Sequence, residues 1–387
     1  MKFWQRYDVC IGLIFSASLF AYLLIAYFYF YPQGYYGTPE APRFADPWIA
    51  RTETIIGGGL LYRDVFTTTP PLTNLLLIPP SLVPILFGNV NPWATLSYML
   101  WFSLFNLFTA LVLLHMGKTK EIGYKTAVLF LLNPLTFGNT VLRRQDESIV
   151  VFFIALALYF LVKRDHVKGA VAIGLGLLVK LSAGVLLPVA LVHFAKKWKG
   201  YLFIPGVVFG AGLAPFLILA GRDAIFWDFG TGGAQHPFQY RGVSLAGLWN
   251  QIQSIGIQLP LPLMSALLVL GAGVALAFVA WKKPGILPGA ILVVSTVFIL
   301  SPKLHTGYFS ILALLIAPLL RNRQDIILYL TFGGIAVVAD YFKWPIVNME
   351  MTFGLMVITL VLMSWLAMRF NRRALVSPPM DAAAPTR

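Results

Sequence analysis

Two aspartates, Asp46 in FADPW and Asp64 in LYRDVF, lie in one polar stretch running from Gln33 to Pro71. An isolated carboxylate can take a proton from a hydroxyl or hold a cation, provided its neighbours fix its position. Pro47 and Trp48 follow the first aspartate, and Tyr62 and Arg63 precede the second. A plainer reading stands beside this one. An Asp before Pro caps a helix well, so Asp46 would start a short helix from Pro47 to Ile56, and Asp64 would pair with a basic neighbour.

Cations recur in a few short segments between apolar runs: LRRQDES (Leu142 to Ser148), VKLS (Val179 to Ser182), GGAQHPFQYRGVS (Gly232 to Ser244), SPKLHTGYF (Ser301 to Phe309) and DYFKWP (Asp340 to Pro345). Arg143, Arg144, Lys180, Arg241, Lys303 and His305 are the types that surround a phosphate. Gln145, Asp146, Glu147, His236 and Tyr308 offer partners for a sugar or an acceptor. Asp146 and Glu147 equally suit the first turn of the following helix, where negative charge is favoured.

Composition sets the medium in which these groups work. The 387 residues are 58% hydrophobic and 11% charged, with a mean hydropathy of +0.78. Those values describe a chain that spans a membrane many times. The net charge of +14 then has to be read by position. Its basic clusters fall at the ends of apolar runs, which makes the excess a topology signal and excludes nucleic acid as a partner. The one cysteine, Cys10, sits in the first apolar run, so neither a disulfide nor a thiolate metal site is expected.

Apolar runs near 9–31, 94–116, 122–140, 147–163, 201–220, 258–281, 286–301, 304–320, 326–340 and 347–368 are each read as one crossing. The first of them reads as a retained signal anchor. The run Pro70–Val90 carries Pro70, Pro71, Pro79, Pro80 and Pro84, too many for a spanning helix, and is expected as short interfacial helices. The run 169–194 holds Lys180 at its centre. Read as two short legs that meet near Lys180, it keeps Lys196, Lys197 and Lys199 on the inner face with the other basic clusters.

The expected fold is therefore an all-α polytopic membrane protein of about 12 crossings. Its large first outer loop, 33–93, carries helical segments at 47–58 and 70–88 over the outer surface. Residues 1–368 form a single membrane domain, and 369–387 form a basic cytoplasmic end with a disordered tail. Gly-rich pieces at Gly57–Gly59, Gly174–Gly176 and Gly210–Gly212 are read as close-packing positions, not a nucleotide loop. No Walker, HExxH or GxSxG sequence occurs.

With these residues in hand, the chain resembles the polyprenyl-phosphate-sugar-dependent membrane glycosyltransferases of the GT-C fold, in particular their mannosyltransferase branches. The likeness lies in the loop Asp46 followed by LYRDVFTTTPPLTNLLLIPP, in RRQDESIVVFFIALALYF, in GAVAIGLGLLVKLSAGVLLPVAL and in ILSPKLHTGYFSILALLIAP. The resemblance implies transfer of a sugar, mannose or another hexose, from a polyprenyl or dolichyl phosphate to a hydroxyl of a glycan or lipid acceptor. It implies inversion, and an active site on the extracytoplasmic face of a plasma or ER-type membrane with both termini cytoplasmic. Asp46 takes the place of the family's loop base. Ala45 and Pro47 stand where some branches have a second acid, so the resemblance does not decide whether a divalent cation such as Mg²⁺ or Mn²⁺ takes part. Two other classes fit the same hydropathy. A transporter or lipid flippase would show repeats and midplane ionisable groups, and a non-catalytic scaffold would spend its aspartates in ion pairs.

Overall fold

Lys180 interrupts a helix. Residues His166–Val179 are helical, Lys180 itself is extended at φ −162° and ψ 138°, and a 3-10 turn over Leu181–Val185 follows before the helix Leu186–His193. The 14-residue leg before the break is about 21 Å long at 1.5 Å per residue. It is shorter than a ~30 Å hydrocarbon core.

The structure, a computed structural model, describes residues 6–43, 46–221, 241–252, 261–301, 303–341 and 349–376. In chain order its helices begin with α1 (Tyr7–Ile25), α2 (Asp46–Ile56), α3 (Pro71–Leu76), α4 (Ile78–Phe87), α5 (Trp93–Met116) and α6 (Lys120–Leu132). They continue with α7 (Pro134–Phe137), α8 (Glu147–Val162), α9 (His166–Val179), α10 (Leu186–His193), α11 (Trp198–Ala220) and α12 (Leu245–Ile252). The last are α13 (Leu261–Lys282), α14 (Ile286–Leu300), α15 (Phe309–Ile316), α16 (Arg323–Tyr341) and α17 (Met349–Val376). A parallel pairing of β1 (Arg241–Gly242) with β2 (Lys303–Leu304) is the one two-stranded sheet among the described residues.

The expected all-helical membrane architecture is present. Among the described residues, 5 helical stretches are long and apolar enough to cross a membrane: Tyr7–Phe30, Trp93–Met116, Ala195–Ala220, Leu263–Lys282 and Glu350–Arg372. Shorter apolar helices account for much of the rest, including Glu147–Val162, His166–Val179 and Ile286–Leu300. The proline-rich stretch forms the short helices α3 and α4. The run expected as one crossing at 122–140 is instead broken at Asn133, where Pro134 cannot continue the helical ladder and Asn133 Oδ1 accepts from Leu135 N at 3.0 Å. At the other end of the chain, α17 carries the basic residues after 368 as helix to Val376.

Two compact units divide the chain. One gathers Met1–Leu131, Thr136–Gly184 and Leu202–Pro237; the other gathers Leu132–Leu135, Val185–Tyr201 and Phe238–Arg387. In the first unit, α8 packs along α9 and α5. Of the glycines expected to permit close packing, Gly174, Gly176 and Gly212 do so, whereas Gly58 and Gly210 face open space. A Cβ on Gly174 would meet Val208 Cβ at 2.7 Å and Pro205 Cα at 3.0 Å, so α9 touches α11 backbone to backbone. In the second unit, α14 packs between α13 and α17, and α16 lies along α17.

Polar side chains inside α5 explain how irregular backbone persists beside apolar helices. Asn106 Nδ2 donates to Thr136 O at 2.9 Å and to Thr140 Oγ1 at 3.3 Å, and Ser103 Oγ donates to Thr140 Oγ1 at 3.2 Å. They serve a π-helical turn over Gly138–Leu142 that carries the chain to Arg143. Backbone that leaves the regular ladder in an apolar setting needs such internal partners.

Candidate active site

Arg144 is the centre of the first unit's polar cluster. It is 1% exposed, which places a guanidinium where unpartnered charge is not tolerated. Its φ of 53° turns the chain out of the π-helical segment. The guanidinium carbon lies 5.4 Å from the Trp48 ring centroid and 5.5 Å from that of Tyr98, and Nη1 donates to Thr95 Oγ1 at 3.4 Å. The two rings are 4.9 Å apart. Tyr98 is fixed in turn by a 2.7 Å hydrogen bond with Ser81 of α4.

This stack joins distant parts of the sequence. Trp48 stands two residues after Asp46 in α2, so the cation of the RRQDE segment is locked against the helix that Asp46 begins. The backbone of Asp46 is the first residue of that helix, while its side chain lies outside the described residues. On the same helix Arg51 donates from Nε to Phe66 O at 3.4 Å. Burial lowers the Arg51 pKa, and the nearby Asp146 carboxylate opposes that shift. Sequence reasoning named Trp48 only as a neighbour that fixes Asp46, and did not single out Arg51 or Tyr98. The signal available for the first two was their spacing of three on a helix with Ile49 and Thr52 buried.

Arg143 points to a different partner. Its Nη1 donates to Tyr35 Oη at 2.9 Å, and the neighbouring Tyr36 hydroxyl donates to Val141 O at 2.9 Å. Asn91 Nδ2 closes the other side by donating to Thr38 O at 2.8 Å and Tyr36 O at 3.2 Å. The loop after α1 is thereby tied to both the π-helical turn and the start of α5. Gln145 follows, its backbone N–H donating to Asn139 O at 3.0 Å.

Lys180 meets two carboxylates. Its Nζ is 2.7 Å from Glu147 Oε1 and 3.4 Å from Asp146 Oδ1. The Glu147 side chain is 4% exposed and that of Lys180 21%. Thr73 Oγ1 donates to Val179 O, seating α3 on the end of α9 next to the lysine. Lys180, Asp146 and Glu147, which the sequence assigned to phosphate and to sugar, are therefore held together as one ionic group at the helix break.

Asp64 closes its own turn. Oδ2 accepts from Leu60 N at 2.7 Å and from Arg63 Nη2 at 2.8 Å, while Oδ1 accepts from Arg63 Nε at 2.9 Å. The bidentate Arg63 hydrogen bonds and the Leu60 amide hold its carboxyl down at about 2. Tyr62, at φ 71°, packs on Phe216 at 5.6 Å and donates its hydroxyl to Thr69 O at 2.8 Å.

In the second unit, Arg241 and Lys303 are Cα partners in the parallel strand register. Val243 N donates to Leu304 O at 3.0 Å and extends the pairing by one bond. Two phosphate candidates far apart in sequence thus share one level of one sheet; their side chains lie outside the described residues. His305 is half-buried and precedes a 3-10 turn, Thr306–Tyr308, in which Tyr308 packs its ring 6.2 Å from Phe298. His236 lies outside the described residues. No group of three or more metal-ligating His, Cys, Asp or Glu residues occurs among the described residues.

Comparison with known proteins adds one finding. The family model described as glycosyltransferase family 87 matches residues 66–302. That stretch holds the RRQDE segment, Lys180, Arg241 and the α13–α14 pair, and begins after both loop aspartates. A search of curated proteins gave no match.

Proposed function

Since this chain belongs to glycosyltransferase family 87, and so is a membrane glycosyltransferase with a sugar donor and an acceptor, we propose that it moves a hexose, mannose first among them, from a polyprenyl or dolichyl phosphate to an acceptor hydroxyl. Asp46 acts as the general base. Its carboxylate takes the hydroxyl proton as the acceptor oxygen forms its bond to the anomeric carbon. The bond from that carbon to the phosphate oxygen breaks, and the lipid phosphate leaves with the electron pair. Attack opposite the leaving group inverts the anomeric centre. The reaction face is extracytoplasmic, with both termini on the other side.

The observation that carries this reading is the packing of the Arg144 guanidinium on the Trp48 and Tyr98 rings, which also pack on each other. It fixes the start of α2, and with it the Asp46 backbone, against a buried cation. A base contributes roughly 10²–10⁴-fold only when it is held in place. Asp64 is the poorer choice, because a carboxyl held at about 2 by Arg63 and Leu60 has little tendency to accept a proton. Phosphate binding falls to Arg241, Lys303 and His305 in one unit or Arg143 in the other. Arg144 positions the base helix, and Lys180 with Asp146 and Glu147 holds the helix break.

The test is sugar transfer by purified protein in lipid, from radiolabelled polyprenyl-phosphate mannose and other polyprenyl-phosphate hexoses. Loss of transfer in Asp46→Asn with retention in Asp64→Asn supports the assignment. Loss only in Asp64→Asn overturns it. Absence of transfer by the unaltered protein from every polyprenyl-phosphate sugar overturns the donor class.

A further inference from the structure

The second unit has a groove of about 620 Å³ walled by α13, α14 and α17. From Leu267 to Phe278 its α13 wall runs about 17 Å at 1.5 Å per residue, close to the depth of one leaflet of a ~30 Å hydrocarbon core. The wall is apolar almost throughout, with Thr296 as a single hydroxyl along it. Gly271 brings Leu300 against α13, since a Cβ there would overlap Leu300 Cδ1. Leu270 and Val274, 64% and 62% exposed, lie on the open side.

Polarity is confined to one end. Asn371 and Arg372 line the groove at the last turn of the spanning stretch Glu350–Arg372, the level at which lipid headgroups lie. Asn371 is 7% exposed, and its Nδ2 donates to Ala367 O at 2.9 Å. Its Oδ1 is buried without a hydrogen-bond partner among the described residues. A buried acceptor of this kind favours a ligand that brings a donor. The adjacent Arg369 is committed elsewhere, 2.9 Å from Asp325 Oδ1 and over the Trp365 ring at 4.9 Å.

We propose that this groove binds an anionic glycerophospholipid of the bilayer, with one acyl chain along α13 and α14, the phosphodiester at Arg372, and a headgroup hydroxyl donating to Asn371 Oδ1. This site is distinct from that of the glycosyl donor. An apolar furrow on a membrane protein is filled by hydrocarbon, and a cation at its interfacial end selects the anionic lipids; basic sites between spanning helices recognise phosphate headgroups in this way. Arginine suits the role because its planar fork meets two phosphate oxygens at once.

The full chain, delipidated in mild detergent, is titrated with phosphatidylglycerol or phosphatidylcholine, and binding is read by native mass spectrometry and by the thermal unfolding midpoint. Phosphatidylglycerol is expected to stay bound and to raise the midpoint, while phosphatidylcholine binds at least tenfold more weakly. Arg372→Glu, which removes the phosphate contact, and Val274→Trp, which fills the groove, each lower phosphatidylglycerol binding at least tenfold. Arg323→Glu, a charge reversal outside the groove, retains it. Equal binding of the two lipids, or undiminished phosphatidylglycerol binding by Arg372→Glu, overturns the proposal. Equal loss in Arg323→Glu also overturns it, because general surface charge would then be the cause.

Discussion

The Lys180 ammonium stands 2.7 Å from Glu147 Oε1, across a sequence separation of 33 residues, and joins the end of α9 to the start of α8. Both groups are largely withdrawn from solvent. Removing one partner of such a pair strands the other charge, at a cost of about 3–5 kcal/mol, whereas replacing both by apolar groups is often neutral. Lys180→Met should therefore lower the thermal midpoint strongly, and Lys180→Met with Glu147→Leu should recover part of the loss, Asp146 still lacking its lysine partner. Thermal unfolding in detergent checks this, and additive losses in the double variant would contradict it.

Arg144→Lys keeps the charge but loses the planar group that packs on the Trp48 and Tyr98 rings. A desolvated cation–π contact contributes about 2 kcal/mol, and lysine does not reproduce the stacking. The variant should transfer sugar at a reduced kcat with a near-normal KM for the donor. A selective rise in donor KM would instead make Arg144 a phosphate ligand.

Asp46→Asn should lower kcat by roughly 10²–10⁴-fold, the usual contribution of a positioned base. Asp46→Glu, which keeps the carboxylate but displaces it, should recover part of that loss. Steady-state transfer rates decide between this outcome and a merely structural role, for which both variants would behave alike.

Asp64 carries a pH signature with a definite sign. Its folded pKa, near 2, lies below the ordinary aspartate value of about 3.9. Its contribution to stability is thus complete above the unfolded pKa and is lost as pH falls from about 4 towards 2. Asp64→Asn should make the loop over residues 60–65 more protease-sensitive at neutral pH, with the difference from the unaltered protein shrinking as pH falls through this window. Limited proteolysis with an acid-stable protease below pH 5 and a neutral one above it reads this difference.

Arg241→Gln and Lys303→Gln should each raise the donor KM, with a smaller effect on kcat, if the strand pair binds the donor phosphate. Donor-concentration series on the two single variants and the double variant test it. A double variant no worse than either single one would show that the two residues act as one unit.

The sequence by itself determined the medium and the class of fold. A hydrophobic fraction of 58% with 11% charge sets a membrane as the medium, and apolar runs of about 20 residues select helices there, since each helix pairs its own backbone polar groups. The prolines of Pro70–Val90 likewise dictated short helices, and Lys180 inside an apolar run marked the break at its own position. These are local effects, set by residue type within a turn or two of chain.

Tertiary structure decided which charges meet. Nothing in the spacing of Trp48, Tyr98 and Arg144 says that the third packs on the first two, nor that Lys180 chooses Asp146 and Glu147. Those choices depend on how α2, α5, α8 and α9 pack, which sums many weak apolar contacts over the first unit. The interruption at Asn133–Pro134 had a local cause in Pro134, but its persistence rests on Asn106 and Ser103 of α5, which supply partners to the irregular turn that follows. The parallel register of Arg241 with Lys303 is a long-range pairing of the same kind. Residue type fixes what a side chain is able to do; the fold fixes which neighbour it does it with, since desolvation makes each buried charge depend on partners that the linear sequence does not place.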